Sequence, residues 1–368
     1  MITIRRLLAM IALCGALVGC VCLEGTSSDG EFEGLASAVP SGCRLDLVLV
    51  HGMGGYHPPD PKALLDGICK AADLKQVGEV EHQDFSDGKR YFGRLKRYCF
   101  RNQAGDKELN AWVYFWTGVT TPVKQRYLDY DREGGPGRLE VNGELKRRIV
   151  NKNFADVVLY LGPHGKAIRS GLRQTLEMMI EDGGGNTSGA LAFQRRFAFV
   201  TFSLGSRMLL DTVAAMAESA APRHRDVAEQ IAEGFSGYFM LANQFALLEL
   251  LQFSYEKGQA RDADEISVVL SPQVTAFDKL LRRAEDSVPG KPRVPIVAFS
   301  DPNDILSYDI PPWMKEAFPG RFVNVSHHVV KTGYWIPFFG AVASPERAHN
   351  FYGSDPKVVD LIVNGTKP

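Results

Sequence analysis

One serine in this 368-residue chain stands where a nucleophile would stand. It lies in the motif Thr201–Gly205, between the apolar run Phe197–Val200 and an apolar helical stretch that begins at Ser206. A strand, a sharp turn of small residues and a helix lift one side chain out of the backbone and direct its hydroxyl away from the sheet. We therefore predict that Ser203 is a nucleophile, although Thr201 stands where the first glycine of such a turn usually lies.

A second segment has the composition of a site that donates backbone amides. The apolar run Leu45–Val50 predicts a buried strand, and the sequence His-Gly-Met-Gly-Gly follows it at 51–55. Glycines let the backbone turn sharply and expose its N–H groups, which can stabilise the oxyanion of an acyl-transfer reaction. The segment lacks the G-x-G-x-x-G fingerprint of dinucleotide sites and the Gly-Lys-Ser/Thr of a P-loop. A plain tight turn is the alternative interpretation.

Both segments require a sheet whose strands end at a common edge. Further apolar runs predict strands at 111–116, 237–242, 294–299 and 322–330, and helical spacing fills 166–180, 206–220, 272–284 and 356–363. Strands that alternate with helices predict an α/β fold with a mostly parallel central sheet flanked by helices. The run Val157–Leu161 is apolar enough for a short strand or a buried segment. Insertions near 118–165 and 243–292 interrupt the alternation, and we expect them to form a helical cap over the strand ends.

The serine turn and the His-Gly loop together resemble the α/β-hydrolase superfamily, over about Asp46 to Ile362. The resemblance implies an α/β-hydrolase fold and a Ser-His-Asp triad in the chain order serine, acid, histidine. It also implies an oxyanion hole formed by the amide after the nucleophile and an amide from the loop after an early strand. In this chain those amides belong to Leu204 and Met53.

The acid should follow the predicted strand at 294–299, where two aspartates compete. Asp304 precedes an apolar pair, as the acid does in the superfamily pattern, and we favour it. Asp301 lies at the strand end and is the alternative acid. Aspartate is also a preferred helix or turn cap, so the one that is not catalytic could cap a turn.

The base should be a histidine that precedes the last helix, and His349 fits that position with Tyr352 and an apolar helical run after it. Its rivals are His327 and His328. Both lie inside the run 322–330, which alternates as a strand does, so one should pack and the other should face water.

The N-terminus resembles a bacterial lipoprotein signal peptide. A basic start and a short apolar run end in Leu-Val-Gly-Cys at 17–20, so we predict that residues 1–19 are removed and that Cys20 is lipidated. Val21, rather than Asp, favours the outer membrane in that resemblance. The alternative is an ordinary secretory signal that is cut further on, for instance before Ser27. Residues 20–43 form a linker and 44–368 the hydrolase domain.

Export permits disulfides. Cys69 with Cys99, and Cys22 with Cys43, is one of three possible pairings. The sequence shows no Cys-x-x-Cys pair and no His/Cys cluster, so we expect neither a metal nor a cofactor. A net charge of −1 gives no general attraction for nucleic acid.

The combined prediction is a serine ester hydrolase, either an esterase or a lipase-like enzyme, that is anchored by lipid in the bacterial cell envelope and faces the periplasm or cell surface. Its substrates would be small-molecule or lipid esters. The alternative is a catalytically inactive envelope lipoprotein that keeps the α/β-hydrolase fold as a binding or assembly module.

Overall fold

The computed structural model describes residues 25–54, 61–130, 137–182, 193–250, 271–287, 293–328 and 345–366. The predicted signal peptide, the lipidation site Cys20, and Cys22 lie outside these ranges. Among the helices within them, none combines the length and the apolar character that a membrane crossing needs.

A ten-stranded sheet organises the described chain. Its strands are β1 Thr26–Ser28, β2 Cys43–Val50, β3 Lys75–Gln76, β4 Glu81–Ser86, β5 Tyr91–Arg101, β6 Lys107–Phe115, β7 Gln194–Phe202, β8 Phe235–Leu241, β9 Ile296–Ser300 and β10 Phe322–His327. Their spatial order is β1-β10-β9-β8-β7-β2-β6-β5-β3, with β4 paired to β5. From β10 to β6 all neighbours are parallel, whereas β1, β3, β4 and β5 pair antiparallel. The predicted α/β class with a mostly parallel sheet is confirmed.

Helices cover both faces of the sheet. They are α1 Lys62–Ala72, α2 Thr117–Leu128, α3 Glu140–Leu145, α4 Ala155–Leu161, α5 Pro163–Glu181, α6 Leu204–Ala217, α7 Pro222–Glu233, α8 Phe245–Glu249, α9 Pro272–Asp286, α10 Pro312–Ala317, α11 Pro345–Asn350 and α12 Pro356–Asn364. A π-helical segment, Lys146–Phe154, joins α3 to α4. Every residue of β2 and of β9 is buried. Such unbroken burial explains their continuous apolar sequences, because a parallel strand packs on both faces.

Two hydrophobic cores lie on opposite faces of the sheet. One contains Trp112 and Phe199 with the buried side of α6, and the other contains Leu47 and Phe239 with Ile362 of α12. Alternate residues of each strand therefore enter different cores.

The structure corrects three of the expectations. The predicted linker at 20–43 contains β1, which pairs with β10, and Phe32 and Leu35 are buried in the core, so this segment belongs to the folded domain where the structure describes it. The run Val157–Leu161 is neither a strand nor wholly buried: it belongs to α4, and Val158 is exposed. The thiols of Cys69 and Cys99 are free, as is that of Cys43, so the Cys69–Cys99 disulfide is not formed. The antiparallel strands β3, β4 and β5 were not predicted. Charged and polar residues interrupt their sequences, so they lack the continuous apolar runs that predicted the other strands.

Both insertions are helical where the structure describes them. The first holds α2, α3, the π-helical segment and α4, while the second holds α8 and α9. Helix α9 packs against α6 and α7 and buries Val274 and Phe277 in the core. It is thus a flanking helix of the sheet, and its buried residues explain the helical spacing that the sequence shows there.

Candidate active site

Ser203 occupies a strained turn between β7 and α6. Its backbone has φ 50° and ψ −122°, a left-handed value of φ that few residues other than glycine adopt. The turn is held on both sides: the Ser203 N–H donates to the Leu241 carbonyl (2.8 Å), and the Ser203 carbonyl accepts from Ser206 N–H (3.1 Å). Strain of this kind persists only where the surroundings enforce it.

The loop after β2 packs directly against this turn, and two glycines make the approach possible. A Cβ atom on Gly205 would lie 2.5 Å from the Val50 carbonyl oxygen, and one on Gly52 would lie 2.7 Å from Ser203 Cβ. No side chain fits at either position without moving backbone. The His-Gly loop and the serine turn, which are about 150 residues apart in sequence, therefore form one unit.

Thr201, which replaces the usual glycine of the turn, is fully buried with a satisfied hydroxyl. Its Oγ1 lies 2.8 Å from Ser206 Oγ and donates to the Tyr238 hydroxyl (3.3 Å), which in turn donates to the Ser206 carbonyl (3.0 Å). This closed network joins the end of β7 to the first turn of α6 and to β8. The threonine therefore stabilises the turn in which it replaces the usual glycine.

The structure brings Ser203, His349 and Asp304 together. His349 Nε2 lies 3.1 Å from Ser203 Oγ, and His349 Nδ1 lies 2.9 and 3.0 Å from the two Asp304 carboxylate oxygens. All three side chains are buried. Because the carboxylate only accepts, Nδ1 carries the imidazole proton and Nε2 is left to accept from the serine hydroxyl.

Asp304 is fixed by further donors. Its Oδ1 accepts from Leu306 N–H (3.0 Å), and its Oδ2 accepts from the Tyr352 hydroxyl (3.2 Å). Burial, followed by the charge of Asp304, raises the pKa of Tyr352 far above its usual range, so the phenol keeps the proton that it donates. The sequence offered Tyr352 only as an aromatic residue after the histidine; its contact with the acid was not predicted.

Asp301, the alternative acid, has a different role. Its Oδ1 accepts from the backbone N–H (2.7 Å) and the side-chain amide (3.1 Å) of Asn303, so it closes the turn that presents Asp304. Asn303 in turn contacts His328. His327 is buried in β10, where its Nδ1 contacts Thr26 Oγ1 of β1. The structure thus places neither His327 nor His328 at the serine.

Of the two residues assigned to the oxyanion hole, Leu204 directly follows the serine and Met53 lies in the loop that packs against it. Leu204 is the first residue of α6, and the first N–H groups of a helix have no acceptor within it. Met53 is buried in the loop after β2, next to Gly52, which touches Ser203. The positive end of the α6 dipole lies at the same place, so negative charge that develops beside Ser203 would be stabilised.

His51 shapes this loop as a neutral imidazole. Its ring stacks on Trp116 with centroids 4.9 Å apart, its Nε2 accepts from Trp116 N–H (3.2 Å), and its Nδ1 lies 2.8 Å from the Gly52 carbonyl. Since Nε2 accepts, Nδ1 carries the proton and donates to Gly52. Burial, opposed by the hydrogen bond to the Gly52 carbonyl and assisted by the charge of Lys124, lowers the pKa of His51 to about 4.

A buried ion pair of the first insertion holds the other end of the loop. Gly54 N–H donates to Asp156 Oδ2 (2.9 Å), and Asp156 Oδ1 lies 2.8 Å from Lys124 Nζ. Asp156 has no exposed surface, and Lys124 is also buried. Charged residues of an expected helical insertion suggest a solvated surface, so sequence reasoning missed Lys124 and Asp156. It also missed the contact between Trp116 and His51.

The low pKa of His51 predicts a pH-dependent stability. An unfolded histidine titrates near 6.5, so between pH 6.5 and about 4 the unfolded state binds more protons than the folded one. The contribution of neutral His51 to the free energy of unfolding is fully present above pH 6.5 and is lost as the pH falls towards 4. From pH 7 to pH 4, urea unfolding should show the wild type losing about 3 kcal/mol more than His51→Asn. Equal losses in the two proteins would contradict a neutral, buried His51.

No family model and no curated protein matches this chain. Within the described ranges, no group of three or more His, Cys, Asp or Glu side chains could hold a metal ion. The groups that the fold brings together are a serine hydroxyl, an imidazole and a carboxylate.

Proposed function

We propose that this protein is a serine hydrolase of the α/β-hydrolase fold that cleaves carboxylic esters through an acyl-enzyme. The observation that carries the proposal is the hydrogen-bonded line from Ser203 through His349 to Asp304, at 3.1 and 2.9 Å. A serine hydroxyl is a weak nucleophile until an adjacent base takes its proton. The chain order serine, aspartate, histidine and the strained turn at Ser203 also agree with that superfamily.

The geometry supports the following reaction. His349 Nε2 takes the proton of Ser203 as Oγ attacks the ester carbonyl, and returns it to the leaving alcohol. Water, deprotonated by the same nitrogen, then attacks the acyl-enzyme, and His349 returns the proton to Ser203 Oγ as the acid leaves. Asp304 holds the imidazole in the required tautomer and stabilises the imidazolium that forms. The amides of Leu204 and Met53 receive the oxyanion.

An apolar cavity at the same edge of the sheet supports an apolar acyl group in the substrate. Leu49, Phe115, Phe202 and Leu241 line it together with His51. Phe202 precedes the serine and His51 precedes the oxyanion loop, so the cavity lies near the site. Lipid or other acyl esters are therefore the substrates that we would test first.

Labelling with a fluorophosphonate probe tests the proposal directly. The folded protein should be modified at Ser203, as located by mass spectrometry, whereas heat-denatured protein should not react. Folded protein that is not labelled would leave the binding or assembly module as the better interpretation. A series of p-nitrophenyl esters with increasing acyl length would then separate an esterase from a lipase-like enzyme.

The Asp156–Lys124 pair should act on catalysis through the oxyanion loop. Asp156→Leu leaves Lys124 buried without its partner and should lower the free energy of unfolding by about 3–5 kcal/mol. The double variant Asp156→Leu/Lys124→Met removes both charges and should recover most of that stability. Its kcat should stay about 10- to 100-fold low with KM little changed, since complete loss of an oxyanion donor costs roughly 10²–10³-fold.

Kinetics and unfolding curves of the single and double variants separate the two effects. A double variant that regains full kcat along with its stability would show that the pair acts only in folding. The loop would then be positioned by His51 and the glycines alone.

We also propose that Cys20 carries a lipid that anchors the enzyme in the bacterial envelope. The substitution Cys20→Ser tests this proposal. The variant should move from the membrane fraction to the soluble fraction after export, because it has lost the acyl chains that hold it. Retention of the exported variant on membranes after a high-salt wash would contradict lipidation at this residue.

A further inference from the structure

Exposed apolar side chains are concentrated in one part of the first insertion. Of the fifteen large apolar side chains that are exposed in the described chain, nine lie between Tyr127 and Leu161. Scattered exposed apolar residues are ordinary on a protein surface, but a contiguous group of them marks an interaction site.

Four of the nine form a stripe along one continuous helical run. Leu145, Ile149, Phe154 and Val158 are between 42% and 58% exposed. They lie four or five residues apart across α3, the π-helical segment and α4. Residues of a π-helix bond to i+5, so spacings of four and five keep the same side of the run facing outward. The opposite side of α4 is buried and carries Asp156.

The stripe lies among basic residues. Between Arg138 and Leu161 the chain carries five basic and two acidic side chains, apart from the buried Asp156. Glu144 pairs with Arg147 and Arg148 and offsets part of this charge. An apolar stripe with a surplus of Lys and Arg is the composition of helices that lie in the interface of an anionic bilayer.

The same charge argues against a second copy as the occupant. In a two-fold symmetric dimer a patch meets itself, so the basic residues of the two runs would face one another. An anionic surface is complementary to both the charge and the apolar stripe. We propose that the run Arg138–Leu161 is a docking surface for anionic lipid bilayers, with Leu145, Ile149, Phe154 and Val158 inserted among the acyl chains.

The position of this surface gives the docking a consequence for the site. Asp156, on the buried side of the same run, accepts from Gly54 of the oxyanion loop, and Asn153 also lies against Gly54. A bilayer bound to the stripe would therefore be separated by one helix from the loop that packs against the catalytic turn. That consequence rests on the proposed ester hydrolysis, whereas binding to the bilayer does not.

Hydroxyl-radical footprinting of the full chain with Cys20→Ser, which carries no attached lipid, tests docking at the stripe itself. With mixed phosphatidylcholine–phosphatidylglycerol vesicles, labelling of Leu145 and Phe154 should fall several-fold, whereas the peptide that contains Val77 should be labelled as before. Pure phosphatidylcholine vesicles or high salt should weaken the protection, since the basic residues contribute through a screened attraction. Unchanged labelling of Leu145 and Phe154 with anionic vesicles would overturn the proposal.

Substitutions give a second, independent measurement. Ile149→Ser/Phe154→Ser/Val158→Ser should weaken partition onto the anionic vesicles at least about tenfold. Val77→Ser, an apolar change of similar exposure next to the edge strand β3, should not. Circular dichroism and turnover of a soluble ester check that each variant is folded. Partition equal to that of the wild type would contradict the proposal. Wild-type oligomers that the triple substitution dissociates, without vesicle binding, would overturn it in favour of self-association.

Discussion

Ser203→Ala should lower kcat/KM for ester hydrolysis by roughly 10⁴- to 10⁶-fold, which is the range that loss of a triad nucleophile causes in serine hydrolases. The hydroxyl at 3.1 Å from His349 Nε2 is the atom that forms the acyl-enzyme, and alanine offers nothing in its place. Binding of the substrate should change little, because the apolar cavity and the amides remain. Labelling by the fluorophosphonate probe should disappear together with turnover.

Ser206→Ala is the matched control for this variant. Ser206 is also buried, three residues further along α6, where its hydroxyl lies 2.8 Å from Thr201 Oγ1. Its loss should cost about 1 kcal/mol of stability, and ester turnover should stay within about tenfold of the wild type. If Ser203→Ala kept more than a few per cent of the wild-type kcat/KM, another residue would be the nucleophile.

Ser203→Gly separates catalysis from backbone strain. Both substitutions remove the hydroxyl, but only glycine adopts φ 50° without cost. Relief of strain is worth about 1–3 kcal/mol, against roughly 0.5–1 kcal/mol for the extra freedom of glycine in the unfolded chain. Ser203→Gly should therefore unfold at a higher urea concentration than Ser203→Ala while both remain inactive. That result would show that the turn is held under strain to present the serine.

The sequence predicted the elements of the site better than the contacts that hold it. Apolar runs such as those at 45–50 and 294–299 predicted buried strands, because parallel strands covered on both faces leave no polar alternation. The resemblance to the α/β-hydrolase superfamily, with Ser203, an aspartate and His349 in the order that it implies, then sufficed to propose a triad. These features depend on local pattern and on chain order, both of which a sequence displays.

Contacts between distant segments were not predictable in the same way. Asp301 and Asp304 are three residues apart in one turn, and only the packing of Tyr352 and His349 against that turn distinguishes the two carboxylates. Lys124 and Asp156 each look like a surface charge until the fold buries them as a pair. The run Val157–Leu161 is too short for its apolar character to distinguish strand from helix.

Asp304→Asn should lower kcat/KM by roughly 10⁴-fold while leaving the fold in place, as loss of the triad carboxylate does where the imidazole keeps its position. An asparagine amide donates where the carboxylate accepted, so it favours the imidazole tautomer whose proton lies on Nε2. That nitrogen then cannot take the proton of Ser203, although all the heavy atoms are present. The rate of fluorophosphonate labelling should fall in parallel with kcat/KM, because both require the activated serine.

Asp301→Asn is the matched control for Asp304→Asn. The two aspartates lie in the same turn and are both buried, but Asp301 accepts from Asn303 rather than from His349. Its substitution should cost about 1 kcal/mol of stability through the weakened turn and should change kcat/KM by less than about tenfold. Equal losses for the two variants would mean that the turn, not the carboxylate of Asp304, is what the imidazole needs. A loss confined to Asp301→Asn would make Asp301 the acid. A much larger loss of kcat/KM in Asp304→Asn than in Asp301→Asn requires a group that sets the tautomer of His349. The distances of 2.9 and 3.0 Å from His349 Nδ1 assign that role to Asp304.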